Sequence, residues 1–244
     1  MKKAKKLLSL LLALALVSLS LLAFSGCEEE PVTPSPDATA ENPIAYLVIE
    51  NYGLVAIELY ADKAPITVAN FKKLVNDGFY NGLTFHRIIE RFMIQGGDPK
   101  GNGTGGSKED IKGEFLYNGV DTGIKHVEGT ISMARSGSGL ADNNGVALEE
   151  YLYAGYDIPD EYMPYIEAAF NSASSQFFIV TETSANNTYS LDGKYAAFGQ
   201  VIEGMEHVKA VAKVATDESA MPLSPVKIAI ITFDRAEAEA ALAN

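Results

Sequence analysis

TFHRIIERFMIQGGD, residues 84–98, is the stretch from which the rest of the chain is best read. Its first half sets Arg87 between Phe85 and Ile89 at period two, the alternation of a strand, and so predicts one cation on an otherwise apolar face. Glu90 and Arg91 break the pattern. A second apolar run, Phe92-Met93-Ile94, then leads to Gln95 and the pair Gly96-Gly97. Alternation puts Met93 and Gln95 on one side of that second strand. Two such strands would bring together a guanidinium, a soft apolar patch and an amide. An arbitrary strand Arg is most often a solvated surface cation, but one placed in this company is a candidate for chemistry.

Further segments follow downstream: Gly101-Asn102-Gly103-Thr104-Gly105-Gly106, Gly113-Glu114-Phe115, Lys125-His126, Ile131-Ser132-Met133-Ala134, Ser175-Gln176-Phe177-Phe178-Ile179, and Leu191-Asp192-Gly193-Lys194-Tyr195 with Phe198-Gly199. Any one of them is a weak signal. Together, and in this order, they resemble the cyclophilin family of peptidyl-prolyl isomerases over residues 44 to 233, one insertion excepted. The resemblance implies a mainly β fold: a closed eight-stranded antiparallel β-barrel capped by two α-helices.

With 244 residues the chain can form one domain of about 190 residues plus extensions. A formal net charge of −13 argues against nucleic acid or an anionic membrane surface as partner. Three His and one Cys offer no material for a Cys/His metal cluster or a disulfide framework, and neither metal nor cofactor is expected.

The first 26 residues read as a lipoprotein signal peptide. Lys2, Lys3, Lys5 and Lys6 form a basic start, residues 7–23 an apolar run, and Phe24-Ser25-Gly26-Cys27 resembles the lipobox of bacterial lipoproteins, with Phe24 where Leu is usual. The apolar run falls short of the ~20 residues that span a bilayer. Cys27 is the expected lipidation site, which would make the protein extracytoplasmic and anchored to the cell membrane. Residues 27–43 carry Pro31, Pro34, Pro36 and Pro43 among acidic and small residues and read as a disordered tether.

The domain proper is expected over 44–235. It opens with a hairpin, residues 45–49 and 54–59 around Asn51-Tyr52-Gly53. Pro65 can start a helix whose core face is Val68, Phe71, Leu74 and Val75, with Gly78 as its stop. Residues 101–106 lack the Gly-Lys-Ser/Thr ending of a phosphate loop, and their glycines instead let backbone pass close to the site. A surplus of roughly 30 residues, about 137–170, is too long for an idle connection. It holds Tyr151, Tyr153, Tyr156, Tyr162 and Tyr165, which predict one or two short helices, and it springs from the edge of the presumed groove, where it would crowd that groove. Residues 192–198 read as strand, 205–214 as a second helix, 227–233 as a closing strand, and 236–244 as a frayed tail.

By resemblance, Arg87 is the electrostatic catalyst, with Phe92 and Gln95 beside it. Met93, Phe178 and Leu191 complete the proline pocket with Phe92, while Gln176, Ala134, Arg135 and Tyr195 contact substrate. Phe177 and Ile179 are read as barrel core. Arg135 stands where the family often has Asn. Ser190 stands where cyclosporin-sensitive members commonly carry a Trp, and this chain has no Trp, so tolerance to that inhibitor is expected. The implied activity is peptidyl-prolyl cis-trans isomerisation of exported or cell-surface proteins by a monomer. The alternative is a non-catalytic lipoprotein that binds proline segments as a chaperone, which would have no need of Arg87.

Overall fold

The computed structural model describes residues 42–243. The expected leader, Cys27 and all of the tether but Asn42 and Pro43 lie outside the described residues. β1 (Ile44–Ile49) and β2 (Gly53–Leu59) form the expected hairpin, with Asn51 at its turn in the left-handed region, φ 66°, a conformation Asn tolerates better than most residues. β3 (Thr84–Phe85), β4 (Arg87–Ile89), β5 (Met93–Gly96), β6 (Thr130–Met133), β7 (Phe177–Val180), β8 (Ala197–Glu203) and β9 (Val226–Thr232) join them in one antiparallel sheet of order β3-β9-β1-β2-β8-β6-β7-β5-β4.

The strand count is nine rather than eight because one strand is broken. β3 pairs with β9 (Thr84 opposite Lys227), β4 pairs with β5 (Arg87 opposite Gln95), and only His86 separates them. The two ends of the sheet order are therefore consecutive in the chain, and the barrel closes through them. The break also corrects the face assigned to Arg87. Phe85 and Ile88 both belong to the barrel core, whereas Arg87 and Ile89 point to the outside. The strict period of two from Phe85 to Ile89 fails at His86, where the strand changes partner.

Inside the barrel, Phe71, Tyr80, Phe85, Phe177 and Phe198 interlock, with ring centroids 5.2–6.1 Å apart, the range in which aromatic pairs attract. Two helices close over this core as expected: α1 (Pro65–Asn76) through Val68, Phe71, Leu74 and Val75, and α5 (Met205–Val211) through Val208 and Val211. Ala64 offers α1 no side-chain cap. The buried Glu114 substitutes for one from a distant loop, accepting hydrogen bonds from Ile66 N, Thr67 N and Thr67 Oγ1 at 3.1, 2.8 and 2.7 Å. A carboxylate here satisfies orphan N–H groups and faces the positive end of the helix dipole.

The insertion forms the two short helices expected of it, α2 (Leu148–Tyr153) and α3 (Met163–Phe170). A helix that the pattern did not announce, α4 (Ala185–Leu191), leads into the site; Ser184 caps it by accepting from Asn187 N. Residues expected to fray from 236 onward instead belong to α6 (Arg235–Leu242). Asp234 caps it, and Ala238 is buried against Val48, Leu54 and Ala56 on the outer face of the sheet. The alanine spacing that reads as a bland tail is the helix's packing face.

Candidate active site

Strand register lays a row of side chains across the outside of the barrel. Arg87 stands opposite Gln95, Gln95 opposite Phe178, and Phe178 opposite Ser132; the next row is Ile89, Met93 and Val180. Because side chains alternate between faces, Ile88, Ile94, Phe177 and Ile179 point into the core, and Phe177 and Ile179 take the core role assigned to them. The outer rows form a separate apolar cluster of Met93, Phe178, Val180 and Leu191, with Ile89, Phe92, Ala134 and Tyr195 against it. Over this cluster lies a cleft of about 440 Å³ whose lining includes Arg87, Phe92, Met93, Gln95, Ala134, Arg135, Phe178, Leu191 and Tyr195. Among the sequence-predicted site residues within the described chain, only Gln176 lies outside that lining; it lines an adjoining pocket of about 240 Å³ together with Gln95, Ala134 and Arg135.

A directed chain of hydrogen bonds holds the polar edge. Arg87 Nη1 donates to Gln95 Oε1 (3.3 Å), Gln95 Nε2 to Gln176 Oε1 (2.9 Å), and Gln176 Nε2 to the carbonyls of Gly103 and Gly105 (3.1 and 2.6 Å). The glycine-rich loop is thus tied to the site through its backbone. The Asp98 carboxylate pins the same loop by accepting from Lys100, Asn102 and Gly103 N. Burial alone would raise the Asp98 pKa, but these N–H groups together hold it below the usual carboxylate range. At Gly97, φ is 83°, and a Cβ would lie 2.5 Å from the Ser175 carbonyl oxygen, so the turn after β5 admits only glycine.

Behind the apolar floor stands a buried polar prop. His126 stacks on Phe178, its Nδ1 is 3.0 Å from Asp192 Oδ1, and its Nε2 is 3.1 Å from Ser132 Oγ. The order Ser–His–Asp has the outline of a nucleophilic relay. Ser132 is 0% exposed and does not line the cleft, so the group orients Phe178 and does not attack substrate. Burial lowers the His126 pKa, and the ring is neutral at neutral pH.

Sequence reasoning gave no part to several residues that line the cleft. His86 does so, and among the described residues neither of its ring nitrogens has a hydrogen-bond partner; burial lowers its pKa. Its signal lay in the opening stretch, a His beside the Arg in an apolar strand. Ser219 and Met221 come from the loop before β9, which hooks onto β4 through Ile88 N donating to Ala220 O at 2.8 Å. Nothing in their pattern marks them. The insertion does not crowd the groove, since none of residues 137–170 lines the cleft. Instead it buttresses one wall: Tyr153 of α2 accepts from Arg135 Nη2 at 2.6 Å, and Glu150 pairs with Lys194.

The model of the family described as "Cyclophilin type peptidyl-prolyl cis-trans isomerase/CLD" matches residues 45–146 and 163–232. The chain belongs to the cyclophilin family. The unmatched stretch, 147–162, is narrower than the insertion expected at 137–170, because residues 137–146 and the whole of α3 fall within the matched segments. This cyclophilin is 37% identical over 183 residues to a peptidyl-prolyl cis-trans isomerase of Acinetobacter baylyi, covering 73% of this chain and 79% of the relative. It is 34% identical to isomerase-like 2 of Rhizopus delemar, a longer protein of which it spans 27%, with 74% of this chain covered. A cyclophilin from Cryptosporidium parvum, solved in the presence of the dipeptide Ala-Pro, superposes with a TM-score of 0.57 at 26% identity, covering 78% of this chain and 97% of that one.

The cyclophilin's site suits the chemistry of its family. Rotation about a peptide bond faces a barrier of ~18–20 kcal/mol because resonance gives the bond double-bond character. No bond breaks, so neither nucleophile nor acid–base pair is needed. An apolar cleft can grip the proline ring. A fixed donor such as Arg87 can stabilise the twisted amide, in which the nitrogen recovers its lone pair and accepts a hydrogen bond.

Proposed function

We propose that this cyclophilin isomerises X–Pro bonds of exported or cell-surface polypeptides from a lipid anchor at Cys27, assisting their folding outside the cytoplasm. The catalytic part rests on one observation above all: Arg87 borders an apolar cleft with its guanidinium exposed and aligned by Gln95. Arg87 also favours the enzyme over a mere binder of proline segments, which needs only the apolar floor. The Ala-Pro dipeptide used with the Cryptosporidium parvum relative supports a proline-containing peptide as the ligand.

The location rests on the leader: four lysines, an apolar run, and a single Cys preceded by Ser25-Gly26 and followed by an acidic, proline-bearing stretch. A single acyl chain binds membranes only marginally, so stable attachment calls for a diacylated Cys27. The protein works as a monomer in this reading. Fractionation of producing cells tests the location: wild type should sediment with membranes, and Cys27→Ser should be soluble or remain unprocessed. Intact-mass analysis showing residues 1–26 retained in the wild type would refute the anchor. A protease-coupled proline-peptide assay tests the activity independently.

A further inference from the structure

In a chain of formal net charge −13, the described residues that line the two adjoining hollows of the site include no Asp or Glu. They have two guanidiniums, Arg87 and Arg135, and Arg135 lines both. The smaller hollow is otherwise walled by hydroxyls and amides: Thr104, Ser136, Ser172, Ser174, Gln95 and Gln176. A basic, hydroxyl-rich pocket beside a proline cleft has a defined complement, a carboxylate.

Arg135 is held in place before any ligand arrives. Its Nε donates to Lys194 O (3.0 Å), Nη1 to Ser136 O (2.9 Å) and Nη2 to the Tyr153 hydroxyl (2.6 Å). The guanidinium lies over the rings of Tyr195 and Phe170, 5.0 Å from each centroid. A guanidinium has five N–H groups, so two remain for a ligand. Tyr153 and Phe170 belong to α2 and α3, so the insertion shares in fixing the cation. Among the described residues Arg135 has no carboxylate within ion-pair distance. Glu149 attracts it at longer range but accepts from Ser138 N (2.7 Å), and Glu150 is paired with Lys194 (3.2 Å).

We propose that Arg135 is a specificity-determining residue that selects substrates with an acidic side chain one or two residues from the proline, and that Tyr153 is its positioning residue. Consecutive Cα atoms are about 3.8 Å apart, so a side chain that close to a proline seated in the cleft reaches the neighbouring pocket. This inference rests on the isomerase reading of the cleft and adds a substrate class to it.

The test uses the full chain and proline peptides identical except for Glu, Gln or Lys one or two residues from the proline. Wild type should prefer Glu over Lys by about tenfold or more in kcat/KM, chiefly through KM, with Gln between them. Added salt should shrink that ratio, as it screens attraction between partly exposed charges. Arg135→Ala should bring the Glu-to-Lys ratio close to one, and Arg135→Lys should restore part of it. Tyr153→Phe should cut the ratio about two- to threefold by raising KM for the Glu peptide, a split that a merely structural residue would not produce. Calorimetric Kd values for the same peptides report the same order if turnover is slow or Arg135→Ala folds poorly. Equal affinities for Glu, Gln and Lys peptides in wild type would overturn the proposal. Absence of isomerisation with the Glu preference intact would count against the isomerase reading alone.

Discussion

Replacing Arg87 by Ala separates catalysis from folding. Among the described residues its side chain makes one hydrogen bond, to Gln95 Oε1 at 3.3 Å, and it is exposed on the outside of the barrel. Its loss should therefore change stability by no more than about 0.5 kcal/mol, a Tm shift of about 1–2 °C for a domain of this size. The effect on rate should be of another order. A preorganised donor facing charge that develops in the transition state is typically worth ~3–4 kcal/mol, so kcat/KM should fall by about a hundred- to a thousandfold. Arg87→Lys should fall between, because it keeps the charge and loses the planar fork. Isomerisation of a proline peptide, followed by coupled proteolysis or by exchange spectroscopy, measures the rate; thermal unfolding of the same samples measures the fold. A folded Arg87→Ala protein that retains wild-type kcat/KM would refute the assignment. A loss of rate that merely tracks a loss of structure would refute the reasoning behind it.

Other outcomes follow from the same geometry. Glu114→Ala leaves Ile66 N and Thr67 N at the start of α1 without their acceptor and should cost about 1–3 kcal/mol in denaturant unfolding. Ala238→Asp buries a charge between α6 and the sheet and should destabilise by at least about 2 kcal/mol, whereas a frayed tail would show no change. His126 and His86 are both held below their ordinary pKa by burial, so the unfolded chain binds more protons just below its His value of about 6.5. Stability should be full above that pH and decline as pH falls towards the lowered folded values; denaturation midpoints at pH 7.5 and 5.5 check the sign. Ser190→Trp, at the exposed end of α4 beside Leu191, should strengthen cyclosporin inhibition about tenfold or more, the equivalent of roughly 1.4 kcal/mol or above.

The site was legible in the sequence to the extent that it rides on regular strands. Met93 and Gln95 share a face because β5 is regular, and Phe177 and Phe178 divide between core and cleft for the same reason on β7. Arg87 borders the cleft, but the alternation that points to it gives it the wrong neighbour, since local alternation carries no sign that a strand changes partner at His86. The loop that supplies Ser219 and Met221 is brought to the cleft by a long-range backbone contact, which no spacing encodes. The sequence does not announce α6, because alanine is both a common component of tails and a tight packing residue, and only the apolar outer face of β1 and β2, which α6 covers, decides between the two. The tyrosines of the insertion announced burial without a target. Arg135, the partner of Tyr153, lies outside the segment, and no spacing links the two.

Because the cleft and the row of Arg87, Gln95 and Phe178 sit on the outer wall of the barrel and the lumen is filled by Phe71, Phe85, Phe177 and Phe198, a client chain never has to thread through anything. It can be gripped mid-sequence, with both ends trailing free or already folded, and let go sideways. The length of the client is therefore no barrier, and a proline deep within a long polypeptide is as accessible as one in a short peptide, provided its immediate neighbours are unfolded.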